Sequence, residues 1–171
     1  MYELRTEQTF PRPIEEVFAF FADAGNLARI TPEWLEFQIE TPLPLEMRVG
    51  ALLDYTIKLR GIPIRWRTEI THWEPSHRFI DTQVKGPYEV WIHEHRFAAV
   101  ERQGGGSGGS SEKTTAVKMS DSVRYQPPMA ALTWKSFVGP EVERIFRFRE
   151  QAMREIFGQI GEATLEHQEV R

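Results

Sequence analysis

The sequence contains no cysteine, which excludes disulfide bonds and any chemistry that needs a thiolate. This absence also fits a reducing compartment, so we expect a cytoplasmic protein. No block of lysine or arginine occurs and the formal net charge is −4, which argues against a nucleic-acid partner. No apolar run approaches the roughly 18 residues that span a bilayer, and the N-terminus lacks a signal-peptide pattern. We therefore expect one soluble domain, residues 1–171, without membrane insertion.

Two motifs of enzyme chemistry are also missing. The glycine- and serine-rich stretch 103–112 lacks the Gly-Lys-Ser/Thr ending of a phosphate-binding loop, and it leads to a predicted strand rather than a helix. We interpret it as a flexible hairpin connection, and its linker-like composition leaves open that it was engineered in place of a native loop. No serine or threonine lies in a recognisable nucleophile elbow, so nucleophilic catalysis finds no support.

The most prominent pattern that is present is an apolar stripe from Pro140 to Leu165. Its members recur at steps of three and four, as on one face of a helix of about 25 residues. Pro140 followed by Glu141 is typical of a helix start. Because so long a helix needs a large covering surface, we predict that the preceding strands bend around it and leave a pocket. The stripe consists of Val142, Ile145, Phe146, Ala152, Met153, Ile156, Phe157 and Ile160.

Seven earlier segments alternate between apolar and polar residues, which is typical of antiparallel strands with one face in water. The first, residues 2–10, precedes two predicted short helices, the second capped by Asn26 and broken at Pro32. We expect a short helix or an ordered loop at 129–138. The other predicted strands are 36–41, 51–60, 64–73, 78–84, 88–100 and 114–125.

Three stretches resemble the START-like superfamily, which includes Bet v 1 and the polyketide cyclase/dehydrase group. They are PRPIEEVFAFFADAGNLARITPEWLEF, GIPIRWRTEITHWEPSHRFIDTQ and GPYEVWIHEHRF, and DSVRY and RIFRFRE continue the likeness. The sequence is most similar to uncharacterised bacterial ligand-binding members, some of which are joined to an epimerase-like reductase. The resemblance implies an α+β helix-grip fold: a curved antiparallel sheet of about seven strands around a long C-terminal helix, with two short helices after the first strand. It also implies an elongated, mostly apolar cavity.

His93 and His95 lie two residues apart on one predicted strand, so their side chains point to the same face. Such an HxH pair is able to bind a metal ion, with Asp121 or Asp81 as the third ligand. The simpler interpretation is two hydrogen-bonded histidines that line a partly polar pocket. Because strands bring such pairs together by chance, we predict no metal and no cofactor.

Asp121 falls on the inward, apolar face of the last predicted strand. A buried carboxylate costs several kcal/mol unless it is paired, and Arg149 on the helix stripe is its natural partner. With the histidines, the pair would orient a ligand or transfer a proton. Otherwise it ties the helix to the sheet, or Arg149 extends to solvent. We favour the structural ion pair.

The sequence therefore predicts a binding module for a small hydrophobic or aromatic molecule that is lipid-, isoprenoid- or polyketide-like. The alternative is a cyclase/dehydratase-type enzyme in which His93, His95 and Asp121 move protons on an enolisable substrate. A further alternative is a partner-docking module of an epimerase-like reductase. The predicted ligand-binding residues are Tyr55, Trp66, Tyr88, Trp91, His93, His95, Phe97, Met119, Asp121 and Arg149.

Overall fold

The architecture is a curved antiparallel sheet and a long helix, in a computed structural model that describes residues 1–103, 113–129 and 137–170. The stretches predicted as a flexible loop (103–112) and as a short helix or loop (129–138) lie mainly outside these residues. Within them, eight strands follow the order β2-β3-β4-β5-β6-β7-β1-β8. Their bounds are Tyr2–Phe10 (β1), Gln38–Ile39 (β2), Leu52–Leu59 (β3), Ile62–Glu74 (β4), Arg78–Lys85 (β5), Val90–Gln103 (β6), Lys113–Gln126 (β7) and Thr164–Glu169 (β8).

The predicted alternation of strand faces is present in the sheet. On β4 and β6, the residues expected to point inward are buried, whereas Arg65 and Arg67 on the opposite face of β4 are more exposed. Side chains two residues apart share a face, so one run of alternation is enough to define the interior. The buried inward residues of β4, β6 and β7 are Trp66, Thr68, Ile70, His93, His95, Phe97, Val117, Met119, Asp121, Val123 and Tyr125.

Short helical segments follow β1, three of them where two were predicted. They are α1 (Ile14–Ala22) and two 3-10 helices, Ala24–Ile30 and Glu33–Leu35. The predicted cap at Asn26 is wrong, because the first 3-10 helix begins earlier and its capping side chain is Asp23. The Asp23 carboxylate accepts a hydrogen bond from the backbone N–H of Gly25 at 2.8 Å.

The long helix, α2 (Gly139–Phe157), packs its apolar stripe on the inner face of the sheet. Phe157 contacts the ring of Phe10 with centroids 5.3 Å apart, and Phe146 packs in one cluster with Val123 and Tyr125. The sheet therefore grips the helix, which confirms the predicted α+β helix-grip fold. The buried helix positions are Gly139, Val142, Phe146, Arg149, Met153 and Phe157.

The predicted helix end at Leu165 is wrong. The helix ends at Phe157, because Gly158 has φ 76° and ψ 175°, a conformation that is essentially confined to glycine. Ile160 extends the apolar stripe in sequence, but its backbone N–H donates to the carbonyl of Thr9. The chain then turns into β8, which pairs antiparallel with β1 and covers that edge of the sheet. The sheet thus gains an eighth strand beyond the seven predicted.

Replacing Gly158 with alanine is expected to lower the free energy of unfolding by about 1–3 kcal/mol. An added Cβ would occupy a glycine-only backbone conformation and would also lie 3.3 Å from Cγ of Pro11. Urea unfolding followed by circular dichroism measures the change. Gly161→Ala is the control, since Gly161 also has a positive φ but no atom within 4 Å of such a Cβ. A Gly158 variant no less stable than the Gly161 variant would contradict this account of the helix end.

Candidate functional site

A cavity of about 180 Å³, partly open to solvent, lies between the sheet, α2 and the 3-10 segment Ala24–Ile30. Strands β3 to β6 supply one wall and the stripe of α2 supplies another, including Ile145 and Phe146. For comparison, an engineered apolar cavity of about 150 Å³ binds benzene. The cavity therefore has room for a small ring compound.

Four aromatic side chains form a continuous wall of the cavity around Trp66. Tyr55 stacks on Trp66 with centroids 5.8 Å apart and an interplanar angle of 17°, and Trp91 meets its ring edge-on at 5.3 Å. Tyr88 packs on Trp91 at 4.8 Å. Among the described residues, the buried Nε1 of Trp66 has no hydrogen-bond partner. This wall offers flat apolar contact together with one unused donor.

The polar side chains of the site lie in one group, which we call the His–Asp cluster: the half-buried Asp81 and the buried His93, His95, Asp121 and Arg149. Strand register assembles it, because β5 places Asp81 opposite His93 and β7 places Asp121 opposite His95. The cluster lies between apolar groups, with Phe79 stacked on His95 at 4.1 Å and Phe146 at 5.5 Å from His93. Its members other than Asp121 form the polar part of a mostly apolar cavity wall.

Each histidine ring has one nitrogen near each carboxylate. His95 Nε2 lies 3.2 Å and His93 Nδ1 lies 3.7 Å from Oδ2 of Asp81. On the other side, His95 Nδ1 lies 2.6 Å and His93 Nε2 lies 3.3 Å from Oδ1 of Asp121. The two contacts with Asp121 are short but poorly directed for hydrogen bonds, so we describe them as contacts between charged or polar groups. The two carboxylates thus sandwich the histidine pair.

Arg149 reaches the cluster from α2, where its side chain is 10% exposed. Its Nε lies 3.8 Å from Oδ2 of Asp121, and its guanidinium lies 5.5 Å from the ring centre of Phe21. The structure thus places the predicted partner beside Asp121, and the contact ties helix to sheet. The paired charges also make burial of both groups tolerable.

The surroundings set the proton affinities of the cluster. Burial opposes ionisation of Asp121, yet the charges of His95 and Arg149 and the two histidine contacts outweigh it and hold the pKa of that carboxyl well below its ordinary value. Burial and the neighbouring His95 lower the pKa of His93. Burial also works against a charged His95, but the nearby carboxylates, Asp121 above all, prevail and raise the pKa of His95. Two adjacent histidines therefore differ in their affinity for a proton.

The structure brings together seven of the ten residues predicted to bind a ligand. Phe97, Met119 and Asp121 do not line the cavity, so for these three residues ligand contact stays a prediction that the shape of the cavity does not support. Phe97 packs against Phe18 and Phe21 of α1, which closes that end of the sheet, and Met119 belongs to the same core cluster. Asp121 lies behind the histidines with a side chain that is 1% exposed. The seven on the wall are Tyr55, Trp66, Tyr88, Trp91, His93, His95 and Arg149.

Sequence reasoning undervalued Asp81, which it considered only as a metal ligand. The alternation Phe79, Asp81 along the predicted strand 78–84 was the available signal, because it puts Asp81 on the same face as a buried phenylalanine. Ile145 lies on the recognised helix stripe, so its position on the cavity wall was also open to prediction. These two residues complete the polar and apolar parts of the site.

These features define a START-like, Bet v 1-like helix-grip domain, a ligand-binding fold with an apolar cavity and a buried His–Asp cluster. The chain belongs to the polyketide cyclase/dehydrase and lipid transport family, whose profile matches residues 1–167. No curated protein matches the sequence. No helix in the described part of the chain is long and apolar enough to cross a membrane.

Solved structures with the same fold come from bacteria and plants. A protein from Chromobacterium violaceum is 13% identical with a TM-score of 0.65, and the match covers 91% of this chain and 96% of that one. The major latex-like protein 151 of Panax ginseng is 9% identical, with a TM-score of 0.56 and the same two coverages. A nucleoside-diphosphate sugar epimerase from Corynebacterium glutamicum is 21% identical with a TM-score of 0.54, and the match covers 88% of this chain but 28% of that one. At these identities the likeness concerns the fold alone.

Proposed function

We propose that the protein binds a small aromatic, polyketide-like molecule in the cavity between the sheet and α2. The observation that carries this proposal is the combination of an aromatic wall around Trp66 with one group of polar side chains at Asp81, His93 and Arg149. Apolar walls supply affinity in such pockets, while a few placed polar groups set orientation.

The size and polarity of the cavity narrow the class of ligand. A space of about 180 Å³ suits one or two fused rings, whereas a long lipid or isoprenoid chain would extend through the opening. Asp81 and the histidines offer both acceptors and donors to a hydroxyl or carbonyl group of the ligand. The ligand therefore carries a ring system with an oxygen substituent at one end.

A matched pair of probes tests this assignment: 1-naphthol and 1-methylnaphthalene, which differ in one polar group. We expect 1-naphthol to bind with one-to-one stoichiometry and about 10-fold or more tighter, because a hydrogen bond to a charged group contributes about 1.5–3 kcal/mol. Quenching of tryptophan fluorescence measures both affinities. In Asp81→Asn the difference should shrink, whereas the exposed Asp54→Asn serves as the control. Equal affinities for the two probes in the unchanged protein would overturn the assignment of the polar end.

A second candidate function is proton transfer on such a ligand, of the cyclase/dehydratase kind. The observation that favours it is the pair of adjacent histidines on the cavity wall, whose pKa values are shifted in opposite directions. Neighbouring groups with separated proton affinities are typical of an acid and a base in one site. Here the neutral His93 would remove a proton next to a carbonyl group, and the carbonyl oxygen would receive one from His95.

Deuterium exchange into 2-tetralone, an enolisable ring ketone, tests the second candidate. We expect the protein to accelerate exchange at the α-carbon in D₂O, and His93→Gln to reduce the acceleration by about 100-fold or more while leaving binding of 1-naphthol in place. Proton NMR follows the exchange. His77→Gln, which changes an exposed histidine, is the control. Exchange no faster than in buffer alone would leave the binding function without catalysis.

The predicted association with a reductase rests on the sequence resemblance. The similarity to part of a sugar epimerase chain is compatible with it, since the match covers 28% of that chain. At 21% identity the match supports a shared fold, and it gives no evidence that this chain has the same partner. A reductase partner therefore stays a prediction.

A further inference from the structure

Against the prediction of no metal made from the sequence, we propose that Asp81, His93 and His95 form a binding site for a divalent transition-metal ion such as Zn²⁺, on the cavity side of the His–Asp cluster. One donor atom from each residue lies within 4.8 Å of the other two. This site goes beyond the binding of an organic ligand and is tested without one. Neutral imidazole and carboxylate together are donors that such ions accept.

The donor spacing matches what a small ion requires. Ligand distances of about 2.1 Å place two tetrahedral donors about 3.4 Å apart. In the structure, Oδ2 of Asp81 lies 3.2 Å from His95 Nε2 and 3.7 Å from His93 Nδ1. Two of the three edges of the donor triangle therefore lie close to the required length before any side chain moves.

The far side of both rings also faces a carboxylate, as in metal-binding histidines, although here its contacts are not directed as hydrogen bonds. Such histidines direct their second ring nitrogen to a carboxylate, which fixes the ring and increases its basicity. Asp121 lies against the second nitrogen of both rings, at 2.6 Å and 3.3 Å, and Arg149 lies behind it. An isolated HxH pair on a strand lacks these partners, which separates this cluster from a chance pair.

The net charge of the His–Asp cluster also favours a bound cation. Asp81 and Asp121 carry two negative charges, whereas Arg149 supplies one positive charge. The remaining negative charge favours a cation, and because imidazole binds a metal ion in its neutral form, metal binding releases any proton that the histidines hold. The three ligands leave at least one coordination position facing the cavity, where an oxygen of a bound molecule would complete the sphere. A metal-bound His93 is not free to act as a base, so this proposal and the proton-transfer candidate exclude each other.

Calorimetric titration of chelator-treated protein with Zn²⁺ alone tests the site. We expect one saturable equivalent, with binding weakened about 100-fold or more in His93→Gln and His95→Gln. Asp121→Asn, which changes only the outer carboxylate, is expected to weaken binding by about 10–100-fold. His77→Gln, on the surface, should leave the affinity unchanged. Circular dichroism of each variant verifies that it is folded.

Asp81→Asn keeps the test decisive if a histidine variant fails to fold, because Asp81 is the most exposed of the three ligands, with a side chain that is 19% exposed. Loss of Zn²⁺ binding in this folded variant supports the site. No saturable heat with the unchanged protein, or undiminished binding in Asp81→Asn, would overturn it. Binding of 1-naphthol to the chelator-treated protein is measured in parallel, so failure of the metal site is distinguishable from failure of the cavity.

Discussion

Replacing Asp121 with asparagine is expected to lower the free energy of unfolding by about 3–5 kcal/mol. The substitution preserves shape but removes the negative charge that faces His95, His93 and Arg149. Arg149 would then lose the one carboxylate that lies within 4 Å of its guanidinium among the described residues. Urea unfolding of chelator-treated protein measures the loss.

Asp54→Asn is the matched control for this prediction. Asp54 pairs with Arg67 on the outer face of the sheet, and its side chain is 39% exposed. Exposed ion pairs contribute up to about 1 kcal/mol, so the control should stay within that range. Equal losses in the two variants would show that the buried cluster does not stabilise the fold as described.

Lowering the pH should remove the stabilising contribution of the Asp121 carboxylate from the unchanged protein. The pKa of Asp121 is held well below its ordinary value of 3.8, so its stabilising effect is present above that value and is lost as pH falls toward the folded-state pKa. We therefore expect the stability difference between the protein and Asp121→Asn to shrink as pH falls below about pH 4, a range in which His95, whose pKa is raised, keeps its proton. Thermal unfolding across this range measures it. A difference that grows as pH falls below about pH 4 would have the opposite sign and would contradict the lowered pKa of Asp121.

Replacing Ile145 with tryptophan is expected to weaken binding of 1-naphthol by about 100-fold or more, equivalent to about 2.7 kcal/mol. Ile145 lies on α2, half-buried, at the cavity wall opposite the strands. A tryptophan ring there occupies space that the ligand needs. Fluorescence quenching measures the affinity.

The control for the cavity substitution is Ile62→Trp, because Ile62 lies at the start of β4 and is 66% exposed. It adds the same ring without entering the cavity, so the affinity should not change. Overpacking at Ile145 costs about 1–3 kcal/mol of stability, so the variant is compared only while circular dichroism shows it folded. Unchanged affinity in Ile145→Trp would place the ligand elsewhere.

Much of the fold follows from periodicity in the sequence. The period-two alternation of β4, β6 and β7 predicted which side chains are buried, including the unusual Asp121. The helix stripe predicted that Arg149 faces the same interior. These inferences succeed because the repeated spacing of apolar residues defines one face of a strand or helix, and this does not depend on which element packs against it.

Contacts between distant segments were predicted only in part: Asp121 beside Arg149 was expected, whereas Asp81 was considered near the histidines only as one of two candidate metal ligands. Asp81 reaches the histidines only through the register of β5 with β6, and the pairing of β4 with β5 contains two irregular steps that no local pattern indicates. Phe97 is on the predicted face, yet α1 covers it, so facing inward did not mean lining the cavity. The helix end at Phe157 was missed because Ile160 continues the apolar spacing, while the backbone of Gly158 turns the chain toward β8.

The most direct test of the cavity's function is a crystal structure of the protein with 4-bromo-1-naphthol, in which anomalous scattering locates the bromine atom. We predict one bromine peak inside the cavity, between Trp66 and Ile145, with the hydroxyl oxygen within hydrogen-bond distance of Asp81 or His93. Bromine peaks confined to the protein surface, with the cavity filled by the protein's own side chains, would contradict the proposed function.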